Sequence, residues 1–414
     1  MASGGPCRLS RSAERPDAKP FPRQNFRVNV TASDDTRMTV PLTALVTDAY
    51  GGKGGIAEFN RRLLDALVSD GRLQVTGLSL HGDPSAPAPS GLAWSIPAPG
   101  NKRRFLGALA RSALARPPRV VLAGHLHLGT VAHPLAAACR ARVWTTTHGI
   151  EAWRETPGLT RGELTCPARR LDDALLARSA LVTTVSRYTR SRLLAWCPIE
   201  PERVQVLHNA IDLERFTPGP RSPELEAELG VRGAKVLLTV SRLSPHDDYK
   251  GHDRVIPLLP ELERRLGPVR YVIAGTGADR GRLEDVARRA GAAKQVVFAG
   301  FVSEERLPAY YRLADVFVMP STGEGFGIVF LEAMACGCPV VAGNRDGSVD
   351  ALADGDLGRL VDPFDARELL EALVASLREG RSHEAAIRGV ERFGLEHFRA
   401  RVDELVTLVL DPRR

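Results

Sequence analysis

Two carboxylates, Glu324 and Glu332, stand eight positions apart in the stretch STGEGFGIVFLEAMACG, around a turn in which Gly323, Gly325 and Gly327 surround Phe326. The strand-like run DVFVMPS leads into this turn, and a helical pattern expected to begin near Phe326 leads out of it. A helix N-terminus therefore falls between the two acids. Unpaired backbone N–H groups there, with glycine allowing close approach, suit an anion or a ligand rich in hydroxyls. Each carboxylate can accept hydrogen bonds from vicinal hydroxyls, Glu324 from before the helix and Glu332 from about one and a half turns into it. The same spacing also fits a capping glutamate followed by a solvated one. A second pair, Arg242 and Lys250 in SRLSPHDDYKGHD, follows the strand-like run KVLLTVS. On spacing alone it fits two solvated cations as well as an anion clamp.

The elements that must carry these residues form two series of short apolar runs alternating with helical patterns, as parallel sheets with crossover helices do. In the first series LTALVTDAY, LQVTGLSL, RVVLAGHLH, RVWTTTHGI, ALVTTVS and VQVLHNAID read as strands, with helices in GIAEFNRRLLDALVSD, HPLAAACRA and ARRLDDALLARSA. In the second, KVLLTVS, VRYVIAG, QVVFAG, ADVFVMPS and PVVAG read as strands, with helices in DRGRLEDVARRAG and GIVFLEAMACG. The reading is an α/β chain of two Rossmann-like domains: a first domain over 38–216, a linker over 217–233 marked by prolines and glycines, and a second domain over 234–392. A C-terminal helix over 393–414 could cross back onto the first domain. Ligands of such sheets bind beyond the carboxyl ends of the strands, so two facing halves make a cleft.

A length of 414 residues, 43% hydrophobic and 25% charged, agrees with two soluble domains. The net charge is +7, of which the first 37 residues carry +3, seven Lys/Arg against four Asp/Glu. Nucleic-acid binding is not required by the remaining +4, and no basic-aromatic module accompanies it. Residues 1–37 lack periodicity and are expected to be disordered, with Met38 as the natural start. The lack of an apolar run long enough for a membrane span or a signal segment points to a cytoplasmic chain. Cys7, Cys139, Cys166, Cys197, Cys336 and Cys338 show no repeated spacing and read as reduced thiols, with no zinc pattern. No metal or cofactor is expected. Two further features are open on residues alone. GGKGG, with Gly51, Gly52, Gly54 and Gly55, lacks the spacing of a phosphate-binding P-loop but can bring backbone N–H groups to a ligand, or form a tight turn. The segment from Asn101 combines Lys102, Arg103, Arg104, Arg111 and Arg116 with Phe105, Leu106, Leu109 and Leu114, a basic amphipathic helix.

With GEGFG…LEAMACGCPVVA, SRLSPHDDYKGHD, AGTG, VVFAGFV, THGIEAW and YGGKGGIAEFN together, the chain resembles the retaining GT-B glycosyltransferases of the family 4 type over nearly all of 42–363. That resemblance implies that Glu324 contacts the donor sugar and Glu332 the nucleotide ribose, and that Arg242 and Lys250 hold the diphosphate. It places His148 close to the donor sugar. Gly275, Gly277, Phe301, Val302, Gly325, Phe326 and Gly327 are implied to line the donor pocket, and the loop of Gly51, Gly52, Gly54 and Gly55 to face diphosphate and acceptor. His125 and His127, at another strand end, either face the acceptor or are structural.

The implied activity is a retaining, metal-independent hexosyl transfer, mannosyl or glucosyl, from a nucleotide diphosphate sugar to a hydroxyl acceptor. The acceptor is expected to be a lipid-linked or polysaccharide precursor of the exopolysaccharide type. The basic helix would then rest on an anionic membrane at its cytoplasmic face. A nucleotide-sugar epimerase and a nucleotide-sugar-binding regulator are the alternatives. Intact Glu324, Arg242 and Lys250 argue against the regulator, because a pure binder has no need of leaving-group cations.

Overall fold

The computed structural model describes residues 39–153, 167–381 and 388–411. The expected disordered tail 1–37 lies outside them, with Met38, Cys7 and Cys166.

The first sheet is built of β1 (Val40–Val46), β2 (Leu73–Ser79), β3 (Ala93–Ser95), β4 (Val120–Ala123), β5 (Arg142–Thr147), β6 (Leu181–Thr184) and β7 (Val204–Val206). Its order is β3-β2-β1-β4-β5-β6-β7, and every neighbouring pair is parallel. The crossovers are α1 (Gly55–Ser69), α2 (Lys102–Ala115), α3 (Gly129–Cys139), α4 (Pro167–Ala177) and α5 (Arg187–Leu194). Strands covered on both faces must be apolar on both, which is why β4 is simply VVLA with all four residues buried. On α1 the buried Phe59, Leu63 and Leu67 recur every fourth residue, the spacing of a helix face.

After the short helix α6 (Pro223–Leu229), the second sheet uses β8 (Lys235–Val240), β9 (Val269–Ala274), β10 (Val296–Gly300), β11 (Val316–Met319), β12 (Val340–Gly343) and β13 (Arg359–Val361). Its order is β10-β9-β8-β11-β12-β13, again parallel throughout. Its helices are α7 (His252–Val255), α8 (Leu259–Leu266), α9 (Arg280–Arg289), α10 (Leu307–Leu313), α11 (Ile328–Ala335), α12 (Ser348–Ala351) and α13 (Ala366–Glu379). In each sheet the first strand sits in the middle, β1 between β2 and β4 and β8 between β9 and β11. The chain reverses direction of winding there, so the loops after these strands diverge and open a crevice. Arg242 follows β8 and the Glu324 loop follows β11, the two neighbours at that point.

The last helix, α14 (Leu395–Leu410), returns to the first sheet's side. Its buried Phe398 meets Phe59 of α1 edge-on at 5.9 Å, Arg142 of β5 donates to the Val409 carbonyl at 2.9 Å, and Arg72 pairs with Asp403 at 2.7 Å. Among the described residues no helix is long and apolar enough to cross a membrane. The described cysteines Cys139, Cys197, Cys336 and Cys338 are free thiols.

Three sequence expectations need correction. The expected linker contains α6: Ser222 Oγ accepts from the Leu225 N–H at 3.1 Å, Pro223 opens the helix and Gly230 closes it at φ 65°. Those residues are helix punctuation as much as linker signals. The helix after Glu324 begins at Ile328, two residues later than Phe326, because Gly327 at φ 87° breaks the turn first. The sequence reading omits β3, AWS, and β13, RLV: each has three residues with a polar one among them and leaves no apolar run, whereas the equally short β7 is continued by the buried Leu207.

Candidate functional site

Glu324 lies in the loop between β11 and α11, where its carboxylate forms an ion pair with the Lys250 ammonium. Lys250 ends the 3-10 turn Pro245–Lys250, which is fastened to the glutamate loop by backbone. The Thr322 N–H donates to the Tyr249 carbonyl at 3.0 Å, and a Cβ on Gly323 would lie 2.6 Å from the Tyr249 ring. Two residues separated by 74 positions are thus set side by side, both largely buried.

Arg242 is the exposed partner, its side chain 80% accessible and its guanidinium 3.4 Å from Asp247. The glycines of AGTG explain how it is held. Gly275 and Gly277 have φ of 147° and 157°, and a Cβ on them would fall 1.7 Å from the Ser241 carbonyl oxygen and 1.9 Å from that of Leu243. Only glycine lets the loop after β9 lie flat on the backbone that flanks Arg242. The Gly275 N–H is already bonded to the Gly300 carbonyl at 2.7 Å.

Glu332 is neither exposed nor solvated. Its side chain, 9% accessible, accepts the Tyr311 hydroxyl at 2.6 Å. Burial pushes its carboxyl above the usual range, against the pull of that hydrogen bond and of Arg62. Arg62 is itself buried on α1, paired with Glu58 at 2.7 Å and bonded to the Ala210 carbonyl, so it brings a first-sheet cation towards a second-sheet acid.

Phe326 departs from expectation. Its ring is buried, stacked on His208 at 5.3 Å and edge-on to Phe393 at 5.6 Å. The side chain anchors the loop, and only its backbone is left for a ligand. Phe301 is 62% exposed, with Lys53 Nζ of the glycine loop 4.7 Å from its ring centroid, while Val302 packs partly buried against the core.

The first-sheet loops close over the same place. Gly51 and Gly54 have φ of 77° and 93°, Arg61 donates to the Gly52 carbonyl at 2.9 Å, and a Cβ on Gly55 would reach the Ile328 side chain at 4.0 Å. The loop GGKGG therefore faces the start of α11. His148 stands at the end of β5 with Nε2 2.9 Å from the Gly124 carbonyl and its own N–H bonded to Glu151. Burial pushes its imidazole down, against the pull of Glu151 and of the Gly124 carbonyl, and so favours the neutral ring. His125 stacks on it at 5.8 Å and is lowered to about 4, burial first, while the exposed His127 pairs with Asp172 at 2.9 Å.

The two halves touch through backbone. A Cβ on Gly325 would sit 1.8 Å from the His148 carbonyl oxygen, and one on Gly149 would sit 2.8 Å from Gly325 Cα. A second seam joins α5 to α12: the Arg187 and Tyr188 N–H groups both donate to Asp350, at 3.0 and 3.2 Å, and Arg187 Nε adds 2.8 Å. An acid supplied by the second sheet thus caps a first-sheet helix.

The structure brings Glu324, Lys250, Gly325 and His148 together. It holds Glu332 nearby on α11 and leaves Arg242 and Phe301 at the surface. Tyr311, Arg62, Lys53, Asp346 and Asp350 were not foreseen. In the sequence the Asp-Gly pair at 346–347 reads as a turn.

The family described as Glycosyl transferases group 1 matches residues 222–392, and Glycosyltransferase Family 4 matches 53–215. A GDP-mannose-dependent alpha-(1-6)-phosphatidylinositol monomannoside mannosyltransferase from Mycolicibacterium smegmatis is 37% identical over 268 residues, 62% of this chain and 66% of that one. A D-inositol 3-phosphate glycosyltransferase from Catenulispora acidiphila is 37% identical over 217 residues, 49% of this chain and 50% of that one. The chain therefore spans between half and about two thirds of these curated relatives. Among solved structures, a sucrose-phosphate synthase from Thermosynechococcus elongatus superposes with TM-score 0.72 at 21% identity, over 89% of this chain and 98% of that one. HepE of Anabaena, solved with UDP-glucose, gives TM-score 0.68 at 20% identity, over 88% and 99%.

Proposed function

The chain belongs to the family 4 glycosyltransferases of the GT-B fold, and from that premise we propose that it transfers a mannosyl group from GDP-mannose, with retention, to a hydroxyl of an inositol-bearing, lipid-linked acceptor. The donor and acceptor classes come from the names of the relatives in Mycolicibacterium and Catenulispora. The observation that carries the reading is the Lys250–Glu324 pair at the mouth of the second sheet.

Glu324 accepts hydrogen bonds from donor-sugar hydroxyls. Lys250 beside it, with Arg242, meets the charge that gathers on the departing diphosphate. These cations act more strongly as the glycosidic bond lengthens than in the bound donor, which is what accelerates a reaction. Glu332, with one oxygen held by Tyr311, accepts the ribose hydroxyls. The acceptor hydroxyl enters from the first sheet, past the glycine loop and His148. It attacks on the face the diphosphate leaves, and the leaving phosphate takes its proton, so no protein side chain is assigned as base. Closure of the first-sheet loops over the donor keeps water away from the cationic sugar.

The surface of α2 suits the lipid end of such an acceptor. Lys102, Arg103 and Arg104 are exposed there, Leu106 and Leu114 are 47% and 85% accessible, and Phe105 and Leu109 are buried beneath. A helix of this kind rests on an anionic bilayer.

The test is to incubate GDP-, UDP- and ADP-sugars with and without acceptor and to assign the product anomer by NMR. Transfer from GDP-mannose with the donor's configuration kept supports the proposal. An inverted product refutes retention, and isomerisation of the donor without acceptor replaces transfer with epimerisation. Glu324→Gln should depress turnover more than donor affinity, and Glu332→Gln the reverse.

A further inference from the structure

Asp346 is wholly buried, lies 22 residues beyond Glu324 in the loop between β12 and α12, and is not one of the residues assigned to donor, acceptor or leaving group. Its two oxygens accept hydrogen bonds from three residues. Oδ2 accepts the Ser321 hydroxyl at 2.6 Å and the Glu324 N–H at 2.8 Å, and Oδ1 accepts the Ser348 N–H at 2.9 Å. The bond is returned by backbone, since the Gly347 N–H donates to the Glu324 carbonyl at 2.8 Å. Glu324 is therefore clamped at both its N–H and its C=O by residues 346 and 347. Only a carboxylate supplies acceptors alone at this point; an amide would turn one of its ends into a donor facing donors.

The clamp also fixes a height. A Cβ on Gly347 would fall 2.0 Å from the Gly325 carbonyl oxygen, while Gly325 in turn lies against His148 and Gly149. Three backbones are stacked here, and the middle one presents Glu324. The opposite end of α12 carries Asp350, which holds α5 of the first sheet. Asp346 thus ties the Glu324 backbone to the helix whose other end grips the first sheet.

We infer that Asp346 is a positioning residue for transfer: it fixes the Glu324 backbone so that the carboxylate meets the donor sugar while remaining beside Lys250. The inference rests on the proposed glycosyl transfer. It assigns Asp346 no contact with the ligand. Burial, which pushes its carboxyl upward, is tolerated because hydrogen bonds from Ser321, Glu324 and Ser348 converge on the charge.

The test separates the sugar from the nucleotide. Asp346→Asn should lower turnover of GDP-mannose roughly 30- to 100-fold, the scale of a misplacement near 1 Å. The dissociation constant of GDP alone should stay within about twofold, because Arg242, Lys250 and Glu332 are not bonded to Asp346. The affinity advantage of GDP-mannose over GDP should shrink. If the Asn variant does not fold, Ser321→Ala, which removes one of the two donors on Oδ2 and leaves the Glu324 N–H, should lower turnover roughly 3- to 10-fold with GDP affinity unchanged, on the scale of one ordinary net hydrogen bond. Wild-type turnover in either variant, or a loss of GDP affinity in proportion to turnover, overturns the positioning role. If the wild-type chain transfers nothing from any donor, the functional reading fails instead. The positioning role is then decided by whether the Asn variant narrows the gap between GDP-mannose and GDP, and no narrowing overturns it.

Discussion

Gly325→Ala offers a sharp test of how the two halves meet. The φ of Gly325 does not lie in the left-handed region, so alanine brings no backbone strain of its own, and the second sheet can fold around it. What the methyl group meets is the other half: His148 oxygen at 1.8 Å, His148 carbonyl carbon at 2.8 Å and Gly149 Cα at 3.0 Å. Real Cβ contacts are not shorter than 3.0 Å, so the difference from 1.8 Å demands about 1.2 Å of opening at this point. Neither neighbour is a flexible side chain, and the separation must therefore come from the halves themselves. A reacting geometry displaced by about 1 Å loses roughly 100-fold in rate, or about 2.7 kcal/mol of barrier. Arg242, Lys250 and Glu332 all belong to the second sheet's side, so GDP affinity should stay within about twofold. The assay is steady-state transfer from GDP-mannose alongside calorimetric titration with GDP. Turnover within threefold of wild type would show that transfer does not need this contact. An equal loss of GDP binding would show that alanine had damaged the second sheet.

Arg242→Ala and Lys250→Ala should each lower turnover roughly 100-fold while a chelator changes little; strong inhibition by the chelator, reversed by a divalent ion, would sink the metal-free assignment. Burial opposes ionisation of Asp350, but hydrogen bonds from His208 and Arg187 hold its carboxyl down at about 2. A depressed carboxyl adds stability that is present above its unfolded value near ~3.9 and is lost as pH falls through the folded one. The melting-temperature gap between wild type and Asp350→Asn should therefore be constant above about pH 5 and shrink towards pH 2, and a flat gap would contradict the seam. Replacing Lys102, Arg103 and Arg104 together by serine should weaken co-sedimentation with anionic liposomes and flatten its salt dependence, and unchanged binding would remove α2 from the membrane reading.

Much of this fold was legible because parallel strands covered on both faces must be apolar throughout, and VVLA or VFVM cannot hide. The pieces that escaped follow the same logic. The strands β3 and β13, AWS and RLV, each include a polar residue and are partly exposed, so they leave no apolar run, unlike the equally short β7 with its two valines. The helix α6 was concealed by the punctuation that starts and stops it. Glu324 and Glu332 could be picked out because their spacing around a helix start is local. What each does depends on partners that arrive from far away: Tyr311 is 21 residues from Glu332, Lys250 is 74 from Glu324, and Arg187 is 163 from Asp350. Such pairings exist only once β11 has paired with β8 and β12 and the two halves have met, and no periodicity encodes them.

The glycines after β9 and β11 are required by how one backbone packs on another. A glycine at a strand's carboxyl end suggests an N–H group offered to phosphate. Here Gly275 gives its N–H to Gly300, and Gly275, Gly277 and Gly325 are small because a carbonyl oxygen of Ser241, Leu243 or His148 occupies the space of a side chain. Their common work is to let one backbone rest on another, which fixes Arg242 on one side and Glu324 on the other. On the proposed function, the charge of a diphosphate would be met mainly by Arg242 and Lys250 and less by the glycine loops. A substitution at Gly275 or Gly277 should accordingly damage the site by displacing the β8 loop and its arginine. Its signature would be a loss of diphosphate affinity that Arg242→Ala already contains, so combining the two changes should cost less than their sum.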